Sequence, residues 1–271
     1  MITVNMNNVV GQQDILFIVL DTLRFDVAQQ AFEQGLIPHI ANYLPTTGWE
    51  QRHSPATFTY PAHHAFFAGF LPTPIAAGHH PRLFAPEFIG SESISTNTWQ
   101  FQEADIVTAL KHQGYHTSCI GGVGFFNKKN AIGSVFPNLF HNSYWSEATS
   151  VMGQQSTQHQ VDIALQILQS QHSTQRHFIF INISALHQPN YFYLEGASTD
   201  NIETQVAALS YVDQQLERLL TKLSQDNNTF CILCSDHGTC YGEDGYTGHK
   251  RAHDVVLNVP YSHFFITHDN E

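Results

Sequence analysis

Short apolar runs alternate with amphipathic segments along this chain, and the alternation predicts its elements. Five apolar runs have the length and composition of buried strands: residues 15–20, 117–120, 177–183, 230–234 and 261–266. Apolar residues recur every three or four positions in three further segments, which predicts helices: residues 104–112, 161–169 and 202–223. Strands that alternate with helices predict an α/β fold, with a largely parallel central sheet between helices on both faces.

Two stretches interrupt this alternation. Residues 69–90 are rich in Pro and Gly, and residues 121–149 are rich in Phe and Asn. We expect the first to be an irregular excursion over the sheet edge, held down by its large apolar residues: Phe70, Leu71, Phe84, Phe88 and Ile89. Long structured loops of this kind often form the walls of an active site.

Size and charge narrow the functional classes. A chain of 271 residues with 42% hydrophobic residues is near the upper size for one hydrophobic core, so we expect one domain over residues 1–271. The formal net charge of −12 argues against nucleic acid as a partner, because that binding needs Lys and Arg to neutralise phosphates. It also disfavours anionic substrates unless a bound cation reverses the field locally.

The apolar runs and the cysteines bear on location. The longest N-terminal apolar run, residues 15–20, is too short for a signal peptide or a membrane span, so we expect a cytoplasmic protein without a membrane partner. The four cysteines are then reduced thiols. Cys231 and Cys234 form a C-x-x-C pair, but residues three apart in a strand point to opposite faces. We expect them to be buried hydrophobes.

Polar residues follow two of the predicted strands directly. Asp236 and His237 come after strand 230–234, and Asp21 comes after strand 15–20. Open α/β sheets place ligands and chemistry at strand ends. A carboxylate and an imidazole can both bind a divalent cation, so these three residues predict a metal-dependent enzyme.

A hydroxyl near a predicted helix start is the candidate nucleophile. Pro61 suits the first position of a helix, which places Thr59 just before the helix N-terminus, where free N–H groups favour an anion. A cation in contact with Thr59 would lower the pKa of its hydroxyl. Two alternatives stay open: Thr59 could simply cap the helix, and Thr57 competes for the same role.

Two histidines complete the candidate site. His187 follows strand 177–183, and His249 ends a loop with glycines at 242, 245 and 248 that can fold back over a strand end. A lone histidine near a strand end is more often a structural residue than a ligand, and the chain has 18 histidines. Two of them beside an Asp-His pair make ligand roles worth testing.

Together these segments resemble the alkaline phosphatase superfamily in its sulfatase-like branch. Seven segments carry the resemblance in order: residues 21–26, 37–40, 59–63, 109–117, 208–216, 235–238 and 259–260. Thr59-Tyr60-Pro61-Ala62-His63 stands in the place of the sulfatase motif Cys-x-Pro-x-Arg. It is closer to the Thr-x-Pro-x-His of nucleotide pyrophosphatase/phosphodiesterases.

The resemblance implies roles for individual residues. Four of them would bind one divalent metal: Asp21, Thr59, Asp236 and His237. His187 and His249 match positions that in relatives contact the transferred group, the leaving group or a second metal. His63 stands where sulfatases have the Arg that holds the nucleophile. Catalytic roles would thus fall to Thr59, His187, His249 and His63.

The chain also departs from the sulfatase pattern. Threonine cannot be converted to formylglycine, which true sulfatases need. Thr22 and His237 replace an Asp and an Asn of sulfatases, and this favours zinc or manganese over calcium. The Asp-x-x-x-His pair of two-metal relatives is incomplete, since only His187 is present, so the second ion is uncertain.

We therefore expect a metal-dependent hydrolase of phosphate mono- or diesters that acts through a phospho-threonine intermediate. The alternatives are a sulfuric ester hydrolase, a phosphoryl-group transferase similar to phosphoethanolamine transferases, and an inactive metal-binding relative. The expected partner is a small anionic ester substrate. Lys250 and Arg251, beside His249, are candidates to hold its charge, although a solvated loop is the simpler interpretation.

Overall fold

An eight-stranded sheet forms the centre of the protein in the computed structural model, which describes residues 2–91, 95–169, 175–226 and 228–267. The strands are β1 (Asp14–Leu20), β2 (Glu50–His53), β3 (Thr73–Pro74), β4 (Phe84–Pro86), β5 (Trp99–Phe101), β6 (His116–Ile120), β7 (Asn142–Tyr144), β8 (His177–Ile183), β9 (Thr229–Cys234), β10 (Cys240–Tyr241), β11 (Thr247–Gly248) and β12 (Asn258–Ile266). The order in the large sheet is β3-β2-β12-β9-β1-β8-β6-β7.

Most of this sheet is parallel. Strands β9, β1, β8, β6 and β7 run in the same direction, while β12, β2 and β3 are each antiparallel to the preceding strand at the other edge. Two further pairs, β4-β5 and β10-β11, form small separate sheets. The carboxyl ends of β9, β1 and β8 therefore meet at one edge, where open α/β sheets bind ligands.

Helices cover the sheet. They are α1 (Phe25–Glu33), α2 (Pro38–Ala41), α3 (Thr59–Phe67), α4 (Ile106–His112), α5 (Ala131–Ser134), α6 (Ser156–Gln169), α7 (Ile202–Asp226) and α8 (Asp254–Leu257). Single 3₁₀ turns occur at Met6–Asn8, Gly124–Phe126, Pro137–Leu139, Glu147–Thr149, Tyr191–Tyr193 and Glu243–Gly245. No helix in the described parts of the chain is both long and apolar enough to cross a bilayer.

Side chains of β1 alternate between two separate parts of the hydrophobic core. Leu16, Ile18 and Leu20 pack with the apolar sides of α1, α6 and α7, while Phe17 and Val19 pack with α3 and α4 on the opposite face. Successive strand residues point to opposite faces, so a strand with buried residues throughout must be covered twice. This confirms the predicted α/β fold with a largely parallel sheet between helical layers.

The elements predicted from periodicity are present, with shifted ends. Strand β12 begins three residues earlier than the predicted 261–266, and α6 begins five residues earlier than 161–169. Cys231 and Cys234 lie in different core clusters, as the prediction of opposite faces requires. Helix α1 and the edge strands were not predicted, because they are short or carry mostly polar residues.

The excursion over residues 69–90 was only partly predicted. Leu71 and Phe84 are buried, but Phe70, Phe88 and Ile89 are exposed, the last of them completely. Pairing of β4 with β5 carries Phe84 into the core, whereas Phe88 and Ile89 lie beyond the end of β4. The expectation that these three exposed side chains hold the segment down was wrong.

Candidate metal centre

Two adjacent strands bring three predicted ligands together. Strands β1 and β9 pair in parallel up to Val19 and Cys234, so the residues that follow them emerge at the same edge. Asp21, Asp236 and His237 are completely buried there, and one potential ligand atom of each lies within 4.8 Å of the others. Carboxylate oxygen and imidazole nitrogen in this number suit a divalent transition metal.

Tight backbone turns set the directions of the two aspartates. Thr22 has a φ of 62°, an unusual conformation for a β-branched residue, and its N–H donates to Asp236 Oδ1 at 3.2 Å. Its hydroxyl donates to the Leu186 carbonyl at 3.0 Å. On the other strand, a Cβ at Gly238 would lie 1.9 Å from the Val255 carbonyl oxygen, so only glycine fits there.

The Thr59 hydroxyl lies beside these ligands. Its Oγ1 is 3.5 Å from Asp21 Oδ2 and 3.3 Å from His237 Nε2. Thr59 is buried at the start of α3, where unpaired backbone N–H groups favour negative charge. The backbone carbonyl of the competing Thr57 accepts from the Lys250 N–H at 2.9 Å. The structure therefore brings Thr59 to the cluster.

The predicted start of this helix was wrong by two residues. Pro61 is the third residue of α3, not the first, and Thr59 is the first. The Ala62 N–H donates to the Phe58 carbonyl at 3.3 Å, so the helical bonding begins before the proline. A proline is tolerated throughout the first turn because N–H groups there have no intrahelical acceptor.

Two carboxylate oxygens in the cluster lack a hydrogen-bond donor among the residues that the structure describes. Asp21 Oδ1 and Asp236 Oδ2 are enclosed and accept no hydrogen bond from the described residues. Burial, together with the neighbouring Asp236, raises the pKa of Asp21 to about 6. Burial also raises the pKa of Asp236 to about 7. Uncompensated buried carboxylates of this kind fit a bound cation, which would supply the missing charge.

His237 presents the correct nitrogen to such a cation. Its Nδ1–H donates to the Gly238 carbonyl at 2.8 Å, which leaves Nε2 with a lone pair in the neutral ring. Nε2 is 3.5 Å from Asp236 Oδ2. Burial lowers the pKa of His237 and so favours the neutral form that binds metal.

His63 lies behind the nucleophile within an aromatic cluster. Its Nδ1–H donates to the Thr59 carbonyl at 2.8 Å, and the same nitrogen is 3.7 Å from Asp236 Oδ2. Burial lowers the pKa of His63 to about 3, so the ring is neutral and the contact with Asp236 is not an ion pair. Rings of Phe66, Phe126 and other phenylalanines enclose it. This position suits a residue that holds Thr59 in place.

His187 and His249 lie near the cluster but outside the group of three ligands. The His249 ring is 4.5 Å from the His237 ring and 5.6 Å from the His187 ring, between centroids. His187 Nδ1–H donates to the Gln188 carbonyl at 2.5 Å, which leaves its Nε2 as an acceptor. His249 Nδ1 is enclosed without a partner in the described residues, and burial lowers the pKa of His249 to about 3. Their predicted roles as ligands or catalysts stay predictions.

Asn182 is a component that sequence reasoning missed. Its Nδ2 donates to Asp21 Oδ2 at 2.9 Å, and its Oδ1 accepts from the Val123 N–H at 3.0 Å. Asn182 is the one amide in the apolar strand β8 and is completely buried. A polar residue within an apolar strand is the signal that could have identified it.

Arg24 fastens the loop that carries His249. The buried Arg24 guanidinium pairs with Asp26 at 2.6 Å and with Glu243, which follows β10. The other carboxylate oxygen of Glu243 accepts from the Tyr241 N–H at 2.6 Å. The Tyr241 hydroxyl in turn accepts from Asn190 Nδ2 at 3.1 Å. This chain of bonds joins the segment after His187 to the loop before His249.

The fold and this cluster define an α/β protein with a metal-ligand set at the strand ends, and the sequence agrees. The sulfatase family model matches residues 13–261. The chain belongs to the sulfatase family, within the alkaline phosphatase superfamily, as the resemblance predicted. No curated protein matches the sequence.

Solved structures with this fold include a domain of a phosphoethanolamine transferase and a lipoteichoic acid synthase. The C-terminal periplasmic domain of phosphoethanolamine transferase EptC from Campylobacter jejuni is 15% identical, with a TM-score of 0.64, and the match covers 98% of this chain and 83% of that one. The lipoteichoic acid synthase LtaP from Listeria monocytogenes is 13% identical, with a TM-score of 0.61 and coverage of 96% and 66%.

A third neighbour was solved with a metal. The C-terminal periplasmic domain of EcEptC from Escherichia coli, in complex with Zn, is 13% identical, with a TM-score of 0.57 and coverage of 95% and 73%. At these identities the likeness concerns the fold. Two of the three neighbours are periplasmic domains, so the predicted cytoplasmic location has no support from them and stays a prediction.

Proposed function

We propose that the protein is a metal-dependent hydrolase of phosphate esters with Thr59 as its nucleophile. The observation that carries this proposal is the Thr59 hydroxyl, 3.5 Å from Asp21 Oδ2 and 3.3 Å from His237 Nε2 at the start of a helix. A buried hydroxyl beside two unpartnered carboxylate oxygens has little structural purpose. The hydroxyl has a clear purpose if it binds the same cation as the two carboxylates.

Asp21, Asp236, His237 and Thr59 would hold the metal, for which zinc or manganese is our choice. When bound, the cation would supply the positive charge that lowers the pKa of a hydroxyl and neutralises phosphate oxygens. The mixed oxygen and nitrogen donors favour these ions over calcium, and the Zn complex of the EptC domain from E. coli supports zinc. A second ion is left open, because the described residues hold one group of three ligands.

Thr59, the N–H groups at the start of α3 and His63 would have separate roles in the reaction. The Thr59 hydroxyl would lose its proton to solvent, and its Oγ1 would attack phosphorus to form a phospho-threonine. The bond to the leaving oxygen breaks in the same step, and that oxygen takes up a proton. The N–H groups at the start of α3 would donate to the non-bridging oxygens. Water would hydrolyse the phospho-threonine in a second step. His63 would hold the Thr59 backbone through its bond to the Thr59 carbonyl.

His249 and His187 are suited to the leaving group and the substrate. The unpartnered His249 Nδ1 can donate a hydrogen bond to a substrate oxygen as a neutral ring. His187 Nε2 is an acceptor in the neutral ring, so His187 can take a proton from the attacking water. Lys250 is held beside the nucleophile by its backbone bond to Thr57, where its ammonium could attract an anionic ester.

A second candidate is transfer of the phosphoryl group to an alcohol instead of water. The neighbouring EptC domain from Campylobacter jejuni, named as a phosphoethanolamine transferase, supports it. Hydrolysis of sulfuric esters is the third candidate, and the sulfatase family supports it. Threonine in place of a formylglycine precursor favours phosphate over sulfate. An inactive relative is disfavoured by the complete ligand set.

The test compares Thr59→Ala with Thr57→Ala in zinc- or manganese-loaded protein. We expect Thr59→Ala to lower turnover of nitrophenyl phosphate or bis-nitrophenyl phosphate by about a thousandfold or more. Thr57→Ala, a matched control two residues away, should retain turnover within about tenfold. Mass spectrometry of acid-quenched wild type should find a phosphate on Thr59.

Three outcomes would overturn the proposal. Turnover of nitrophenyl sulfate that is faster than turnover of the nitrophenyl phosphates would assign a sulfatase. If an alcohol is added and its phosphate ester forms faster than free phosphate, the protein would be a transferase. Equal activity of Thr59→Ala and wild type would remove Thr59 from the chemistry.

A further inference from the structure

A cavity apart from the metal centre is lined by two arginines and three histidines. It has a volume of about 300 Å³, and residues 69–74 and 78–83 form its walls with side chains from β2 and β12. These walls contain Arg52, Arg82, His79, His80 and His263, but no Asp or Glu among the described residues. In a chain with a net charge of −12, a cavity of this composition is unusual.

The two arginines of the cavity differ in their partners. Arg52 is satisfied, because Nε and Nη2 donate to Glu50 at 3.0 and 3.2 Å and Nη1 donates to the Pro72 carbonyl at 3.1 Å. Arg82 is not. Its Nε and Nη1 are enclosed and have no acceptor in the described residues, and its guanidinium lies 4.5 Å from the Phe70 ring centroid.

An unsatisfied guanidinium of this kind needs an explanation. Enclosed donors without acceptors cost free energy, and a charged donor costs more than a neutral one. The ring of Phe70 compensates only part of that cost. An anionic group beside Arg82 would satisfy both nitrogens and the charge.

The rest of the cavity is suited to an apolar body. Phe70, Leu71 and Leu83 line it together with three prolines, and Phe70 is 42% exposed. A volume of about 300 Å³ is at the lower end for small-molecule sites. The walls therefore suit a compact ligand with one charged end.

We propose that this cavity binds a small amphiphilic anion, with its carboxylate or phosphate on Arg82 and its apolar part against Phe70, Leu71 and Leu83. None of these residues belongs to the metal centre. The site is therefore independent of the proposed hydrolase activity, and it would hold a ligand in a hydrolase, a transferase or an inactive relative.

The test is calorimetric titration of the metal-free protein with octanoate, acetate and octanol. Octanoate should bind best, because acetate lacks the apolar body and octanol lacks the charge. We expect Arg82→Gln to weaken octanoate binding roughly 10- to 100-fold, the range of one hydrogen bond to a charged group. Arg218→Gln, an exposed arginine that pairs with Asp162 on another helix, is the matched control and should leave binding unchanged.

The melting temperature shows whether weaker binding by Arg82→Gln results from misfolding. Arg82→Gln removes a half-buried charge whose Nε and Nη1 have no acceptor in the described residues, so its melting temperature without ligand should equal or exceed that of the wild type. Octylphosphonate, which is not hydrolysed, tests whether a phosphate-like head binds through Arg82 as well as a carboxylate. Octanoate affinity that is the same in Arg82→Gln, or equal affinity for acetate and octanoate, would overturn the proposal.

Discussion

Asp21 and Asp236 are carboxylates that the chain buries without enough counter-charge of its own. Burial lowers the pKa of His63, His237 and His249, and one oxygen of each aspartate has no donor among the described residues. Such groups take up protons when no cation is present, which is why burial raises the pKa of both. The two aspartates therefore form a site that is suited to a bound cation.

Asn182 should control how well the site holds that cation. Asn182→Ala removes the donor to Asp21 Oδ2 and frees the carboxylate to turn. Because groups that orient metal ligands matter nearly as much as the ligands, we expect zinc affinity to fall roughly 10- to 100-fold. Competition with a chelating dye would measure the change.

Ser118→Ala is the matched control for this variant. Ser118 is also buried, on the adjacent strand β6, and its Oγ has no partner in the described residues. Zinc affinity should therefore not change. If Asn182→Ala binds zinc as tightly as the control does, Asn182 does not position Asp21.

At the scale of elements, the ends of β1 and β9 make the site. Each strand delivers its ligand and then turns at once, through the positive φ of Thr22 and through the close packing of Gly238. The Gly238 N–H also donates to the Val256 carbonyl at 2.7 Å. The strand end is thus fixed to α8, and His237 cannot move independently.

Gly238→Ala should therefore be strongly destabilising. The added Cβ would lie 1.9 Å from the Val255 carbonyl oxygen, and backbone cannot yield as a flexible side chain does. We expect a loss of about 3 kcal/mol or more in the free energy of unfolding, measured by urea denaturation.

Gly245→Ala is the comparison for that measurement. Gly245 has a φ of 78° but nothing within 4 Å of a Cβ, so its substitution should cost only about 1 kcal/mol of backbone strain. Equal losses in the two variants would show that packing against α8 does not fix the strand end.

For the whole molecule, metal and pH should act together on stability. The native metal-free protein keeps protons on Asp21 and Asp236 up to pKa values of about 6 and about 7, whereas the unfolded chain loses them near about pH 4. Across that window the native state binds more protons, so these two groups lower the stability of the metal-free protein as pH rises.

Metal should reverse this trend, because it binds the deprotonated carboxylates. We expect the rise in melting temperature on addition of zinc to be small at about pH 5.5 and large at about pH 8. Metal at a free concentration of 100 times its dissociation constant adds about 2.7 kcal/mol to the free energy of unfolding. Scanning calorimetry with and without zinc measures both trends.

The double variant Asp21→Asn with Asp236→Asn is the control for both trends. It cannot titrate at these positions and should bind zinc weakly, so both trends should disappear. A zinc effect that stays constant between the two pH values in the wild type would contradict the assignment of the aspartates as ligands.

Apolar periodicity determined five strands of the large sheet and three of the helices, because burial of alternate or every third and fourth residue is a local property of the chain. Asp21, Asp236 and His237 were identifiable for a related reason: they directly follow apolar strands. Thr59 and its competitor Thr57 could not be separated in this way. Both lie close to the start of the same helix, and the direction of a side chain there depends on where the helix begins.

Tertiary structure alone decided the remaining features. Asn182 reaches Asp21 only because β8 pairs with β1, and Arg24 meets Glu243 across more than 200 positions of sequence. The cavity around Arg82 arises from segments that fold back on β2 and β12. Contacts of this kind depend on which strands become neighbours, and that follows from the packing of the whole core, which no local pattern encodes.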